Sequence, residues 1–170
     1  DDLCIYTLSD ELQTMKNATL QLKVMNFDGK VLNSKLVKGE VPANASVVYC
    51  KENYEALAKD PRNTFLLMTL KDAKGKVLSE EIYYFNYPKD QELPVAKVSY
   101  KVKQMDGKCE VTLSTKQLAR DIFIEIPVQG ARFTDNFFDL LPGQTKKIVI
   151  TSDKIKKNEG LGTELKGVLA

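Results

Sequence analysis

The dominant repeat along this chain is two residues. In Thr19-Leu20-Gln21-Leu22-Lys23-Val24 apolar and polar side chains alternate without a break. Successive side chains of a strand point to opposite faces, so this segment can cover a core on one side and meet water on the other. Asn26-Phe27-Asp28-Gly29-Lys30 follows, and then Val31-Leu32. Asp-Gly between alternating runs predicts a hairpin, with glycine supplying the positive φ that a type I′ turn requires. Met105-Asp106-Gly107-Lys108 repeats the device, and Ala73-Lys74-Gly75-Lys76 is a looser version. The period predicts strands near residues 3–8, 19–26, 30–38, 46–51, 64–71 and 76–86, with one short helical stretch from Asn53 to Lys59.

The pattern pauses where Pro88 and Pro94 flank Lys89, Asp90 and Glu92, a composition that cannot continue a central strand. A domain boundary is expected at roughly Tyr87 to Pro94, dividing the chain into residues 1–90 and 91–170. Beyond it Ala96, Val98, Tyr100 and Val102 share one face, Val111 and Leu113 follow a turn, and Ile122, Ile124, Ile126 and Val128 form another run. Pro142-Gly143 marks a turn before Lys146-Lys147-Ile148-Val149-Ile150, and Leu165 to Ala170 reads as a last strand. Short strands with regular turns indicate antiparallel sandwiches. The fold class expected is therefore all-β, two tandem immunoglobulin-like antiparallel β-sandwiches. Starting and stopping on strands suggests a piece of something longer.

Composition changes this picture mainly by what it withholds. With 43% hydrophobic and 28% charged residues in 170, the chain can bury a core. No apolar run approaches the roughly 18 residues needed to span a bilayer, so no membrane insertion is expected. Asp1-Asp2-Leu3-Cys4-Ile5-Tyr6 is no signal peptide, and any export signal would lie outside this sequence. There is no His, which removes the commonest general base, imidazole metal ligands and the Ser-His and Cys-His pairs. There is no Trp, the broadest face for stacking on a sugar. An enzyme and a lectin both become less attractive readings.

Cys4, Cys50 and Cys109 form no CxxC. They permit one intrachain bridge at most, Cys4–Cys50 across the first sandwich, against the plainer reading of three thiols serving as small hydrophobes. Residues 1–92 carry 12 Lys+Arg against 14 Asp+Glu and residues 93–170 carry 13 against 9. Lys146, Lys147, Lys154, Lys156 and Lys157 make the second half locally basic, but no aromatics interleave with them. A solvated face is expected rather than a nucleic-acid surface.

Glycosidase chemistry needs two carboxylates flanking a bond, and the candidates are Asp135, Asp139 and the Asn158-Glu159 pair. Asp135 and Asp139 sit in a polar-aromatic turn where Asp bonds to nearby backbone N–H groups, and nothing beside Glu159 would raise its pKa. No catalytic residue is therefore assigned. No phosphate-cradling glycine loop, nucleotide fingerprint or calcium loop occurs, so no cofactor and no metal is expected. Two aromatic groups, Tyr83 to Pro88 and Phe133 to Gly143, could form a sugar platform or a docking surface, although alternation sends most of their rings inward. From these, Tyr87, Asp135, Asn136 and Phe137 are the candidate docking or sugar-contact residues, with Tyr87 expected to be exposed. Asn17-Ala18-Thr19 and Asn44-Ala45-Ser46 match the glycosylation pattern and are given no weight.

Phe133-Thr134-Asp135-Asn136-Phe137-Phe138-Asp139-Leu140-Leu141-Pro142-Gly143 closely resembles the FSDNYFDLLPGE signature in the last immunoglobulin-like domain of β-mannosidases, in family 2 of the glycoside hydrolases. Glu80 to Asp90 is similar to the N-x-YYF-x-PPKDL stretch that ends the preceding sandwich, and residues 19–32 look like that domain's DG-x-VL hairpin. Tyr87 replaces the first proline, Gln91-Glu92 loosens the DL, and Gln144 stands where Glu is frequent. The resemblance covers nearly the whole chain. It implies a parent enzyme that removes terminal β-mannosyl residues from non-reducing ends with two glutamates on an upstream (β/α)8 barrel. Such a barrel takes about 250 residues by itself and has no counterpart here. The expected role is a noncatalytic accessory region that buttresses the barrel or forms a homodimer contact, in an exported, periplasmic or extracellular, enzyme. The alternatives are a carbohydrate-binding module and an adhesion-type cell-surface tandem.

Overall fold

Alternation does become strand pairing, and the turns fall where glycine permits them. The computed structural model describes residues 1–155 and the backbone of Glu164–Gly167. Lys156, Lys157, Asn158, Glu159 and the end of the expected last strand lie outside the described residues. The chain divides into two compact units, one of Asp1–Asn26 with Lys30–Glu92, the other of Phe27–Gly29 with Leu93–Ala170.

In the first unit the strands are β1 (Asp2–Ser9), β2 (Met15–Asn26), β3 (Val31–Val41), β4 (Ala45–Asn53), β5 (Thr64–Lys71) and β6 (Val77–Tyr84). They form an antiparallel sheet in the order β3-β2-β5-β6 and a two-stranded sheet of β1 and β4. Leu20, Leu22 and Val24 on β2 turn to one side and pack with Leu66, Ile5 and Phe85. This is the clean alternation seen in the sequence, converted into a core face. The margin between β3 and β4 is closed by Lys35, whose Nζ lies 2.7 Å from Glu52 Oε1. Tyr49 OH donates to Ala18 O at 2.9 Å, tying β4 to β2. The α-helical turn α1 (Tyr54–Leu57) is capped by Asn53, whose side chain accepts from Ala56 N at 2.8 Å.

In register, Ile5 lies opposite Cys50 and Cys4 opposite Lys51. Cys50 packs on the core with Ile5, whereas alternation turns Cys4 to the other face. The two sulfurs therefore point apart, and all three cysteines are free, with Cys109 buried. Burial pushes the Cys50 and Cys109 thiols up from their ordinary value.

The second unit contains β7 (Val98–Met105), β8 (Lys108–Thr115), β9 (Ala119–Glu125), β10 (Arg132–Phe133), β11 (Phe138–Leu140), β12 (Thr145–Thr151) and β13 (Glu164–Gly167). One sheet runs β10-β12-β8-β7 and the other β11-β9-β13. Val111, Leu113, Ile122, Ile124, Leu140, Ile148 and Ile150 fill the space between them. Val98, Tyr100 and Val102 pair opposite Thr115, Leu113 and Val111, so they share the core-facing side as expected. Tyr100 and Val102 nevertheless stay exposed, because β7 is the edge strand.

The Asp-Gly hairpins form, but not as type I′ turns, which need positive φ at both central residues. Only the glycines have it: Gly29 at φ 90, Gly75 at 82 and Gly107 at 70. At Asp72 the carboxylate oxygen accepts from Lys74 N and Lys76 N while Asp72 N donates to Lys76 O, giving a three-residue loop with glycine in the left-handed position. A Cβ at Gly75 would meet nothing within 4 Å. Gly75→Ala thus isolates backbone conformation, and is expected to cost about 1–2 kcal/mol, read from the urea midpoint by circular dichroism.

Candidate functional site

The signature segment Phe133–Gly143 is held by two strands: Phe133, Thr134 and Asp135 engage β12, and Asn136, Phe137 and Asp139 engage β9. Asn136 Oδ1 accepts from Ile124 N at 2.8 Å and its Nδ2 donates to Ile124 O at 3.0 Å. The side-chain amide imitates a strand residue, continuing the β11–β9 ladder in which Phe138 faces Ile122. Asp139 accepts from Asp121 N at 2.8 Å and stands 3.8 Å from Arg120 Nε. Asp121 has φ 51, so the carboxylate secures a backbone that asparagine and aspartate tolerate better than most residues. Phe138 and Leu140 are buried, and Gly143 turns the chain at φ 76.

Asp135 and Phe137 face outward. Asp135 Oδ2 lies 2.6 Å from Lys146 Nζ, and that ammonium also sits 4.0 Å from the Phe138 ring centroid. Phe137 is 73% exposed, has φ 59, and stacks on Phe123 at 4.7 Å with the planes 22° apart. A left-handed phenylalanine costs backbone energy that glycine would not. Tyr87, in the other unit, is 75% exposed and precedes the 3-10 turn Pro88–Asp90, while its neighbours Tyr83 and Phe85 pack edge to face at 5.7 Å. Asp135, Asn136 and Phe137 thus occupy one short loop with three different jobs.

The basic cluster is partly neutralised. Glu110 lies 2.7 Å from Lys147 Nζ and 2.9 Å from Lys108 Nζ. Hydrogen bonds from these two ammonium groups lower its pKa from 4.5 to about 2. A depressed carboxylate contributes stability above its unfolded pKa and loses it as pH falls towards the folded value. The second unit should therefore weaken between about pH 4.5 and about pH 2, and Glu110→Gln should flatten this part of the profile in thermal melts. Among the described residues no group of His, Cys, Asp and Glu gathers to hold a metal ion, and no helix is long and apolar enough to cross a membrane. Sequence patterning did not single out an apolar groove of about 480 Å³ in the first unit, lined by residues Leu3 to Leu8 along β1 and by Met68, Leu70, Ser79, Glu81 and Tyr83.

Residues 1–90 match the family described as the mannosidase Ig/CBM-like domain. The chain belongs to the mannosidase Ig/CBM-like domain family. Residues 93–167 of this mannosidase Ig/CBM-like chain match a second family, described as an Ig-fold domain. No curated protein matches it. Among solved structures it is similar to the β-D-mannosidase of Dictyoglomus thermophilum, with a TM-score of 0.75 and 24% identity, over 99% of this chain and 20% of that one. It is also similar to the exo-chitosanase CsxA of Amycolatopsis orientalis, with a TM-score of 0.65 and 18% identity, over 96% of this chain and 25% of that one. At these identities the likeness establishes the fold. The chain spans only a fifth to a quarter of the proteins it resembles.

Proposed function

We propose that this chain is the noncatalytic C-terminal accessory region of a larger, retaining β-mannosidase-like glycoside hydrolase, exported from the cell, that releases terminal β-D-mannose from non-reducing ends. The observation that carries this reading is the family match over residues 1–90, followed in order by an Ig-fold match over residues 93–167. A β-mannosidase of which such a tandem covers 20% supports it. So does the use of the acidic side chains: Asp135 and Asp139 lie against Lys146 and Arg120, and the shift at Glu110 is downward, opposite to what a general acid needs. The role is to support a catalytic barrel elsewhere in the polypeptide. The test is turnover of p-nitrophenyl β-D-mannoside by the purified chain and by the complete polypeptide of its reading frame. No turnover by the first and turnover by the second is expected. Hydrolysis by the isolated chain, or an inactive complete polypeptide, would overturn the proposal.

A second reading, sugar binding at the Phe137 loop, is favoured by one observation: an exposed aromatic held in a costly backbone conformation and stacked on Phe123. Calorimetric titration with mannotetraose decides it. Heat that disappears in Phe137→Ala supports sugar binding, and no heat at millimolar ligand removes it.

A further inference from the structure

The first sandwich is unequal. Four strands make one sheet and two make the other. On the β3–β4 side the Lys35–Glu52 pair bridges the margin, but among the described residues no ion pair spans the β1–β6 side. There β1 has a free edge, and beside it the inner face of β5 and β6 is left partly uncovered at Met68, Leu70, Ser79 and Glu81. Those residues and β1 enclose the groove of about 480 Å³. In an antiparallel pair, alternate residues turn both N–H and C=O away from the partner strand, so β1 offers a row of unused backbone groups along the groove.

Two further observations say that this edge is meant to be filled. Free edges are ordinarily protected by charge. Edge strands of comparable length carry it along the strand, with Lys35 and Lys38 on β3, Lys51 on β4, Glu80 and Glu81 on β6, and Lys101 and Lys103 on β7. On β1 the one charge is Asp2, its first residue, and none follows from Leu3 to Ser9. The hydroxyl of Thr7, a residue only 7% exposed and lining the groove, has no hydrogen-bond partner among the described residues. A buried hydroxyl without a partner is costly and is expected to find one.

We propose that the groove takes an extended peptide segment, laid beside β1 as a third strand of the small sheet. Its backbone pairs with β1 and with the Thr7 hydroxyl. Its apolar side chains, at every second position, cover Met68 and Leu70. One Lys or Arg meets Glu81, a carboxylate that no described ion pair engages. This is strand addition, in which main-chain bonds supply affinity and alternate side chains supply specificity. It does not depend on the parent enzyme proposed above.

The test selects random octapeptides displayed on phage against the immobilised chain, then follows one enriched peptide by hydrogen–deuterium exchange. Enriched sequences should alternate apolar residues with a single basic one, and the peptide should slow exchange at β1 amides and leave β7 to β12 unchanged. Leu8 is 78% exposed, so Leu8→Lys should fold normally by circular dichroism and abolish binding. Thr7→Val, of nearly equal shape, should weaken binding by about tenfold, and Glu81→Gln should remove the preference for a basic residue. The proposal fails if no sequence is enriched over the Leu8→Lys control, or if the peptide protects another site. Protection of β1 by mannotetraose would instead make the groove a sugar site. Protection that grows with protein concentration alone would make it an interface between two copies. Either result overturns the proposal.

Discussion

Asn136→Ala is expected to destabilise the second unit by about 2–4 kcal/mol, because it strips two buried backbone groups of Ile124 of their partners at once. The measurement is urea unfolding followed by far-ultraviolet circular dichroism, since the chain has no Trp to report by fluorescence. Asn136→Asp separates the paired bond from a single acceptor. It keeps an oxygen for Ile124 N–H but sets a charged oxygen against Ile124 O, so it should not rescue stability. If Asn136→Ala unfolds at the wild-type midpoint, the amide is not holding β9. By contrast Phe137→Ala, at an exposed position in the same loop, should shift the midpoint far less.

Leu66→Ala should be among the most damaging simple truncations in the first unit. Leu66 has no exposed surface and joins Ile5, Leu20, Leu22, Val24 and Phe85. Removing three heavy atoms from such a site costs about 2–5 kcal/mol, the spread reflecting how far the neighbours can collapse into the gap. Leu32→Ala, at an exposed position on β3, is the control and should change the midpoint by about 0.5 kcal/mol or less. Equal effects from the two substitutions would mean that the core does not lie between these sheets.

What the sequence made legible was local. Leu20, Leu22 and Val24 announced a core face by period, and Gly29, Gly75 and Gly107 announced hairpins by their freedom at positive φ. The conformations of the turns were not legible, because an Asp-Gly pair is compatible with more than one of them. Nor were β10 and β11, which at two and three residues are too short to show a period. Tyr100 and Val102 show the other limit: alternation tells which residues share a face, but not whether a second sheet reaches far enough to cover it. The site was the least legible part. Asn136 reads in sequence as a polar residue in an aromatic loop, and its commitment to Ile124 depends on a strand that ends eleven residues earlier. The groove along β1 carries no motif at all, since its walls are assembled from β1, β5 and β6.

The pairing of β1 with β4 also sets a timetable. β2 with β3, β5 with β6, and β7 with β8 are hairpins whose partners follow within a few residues. Asp2, however, meets Asn53, and Ser9 meets Ala45. Contacts this distant in the chain close late, because the loop entropy must be met before they reward it. During synthesis β1 is therefore the first strand of its unit to emerge and among the last of that unit to find a neighbour. It waits with Leu3, Ile5, Tyr6 and Leu8 uncovered and no charge between them, so premature release before Asn53 should yield a fragment prone to associate through this strand.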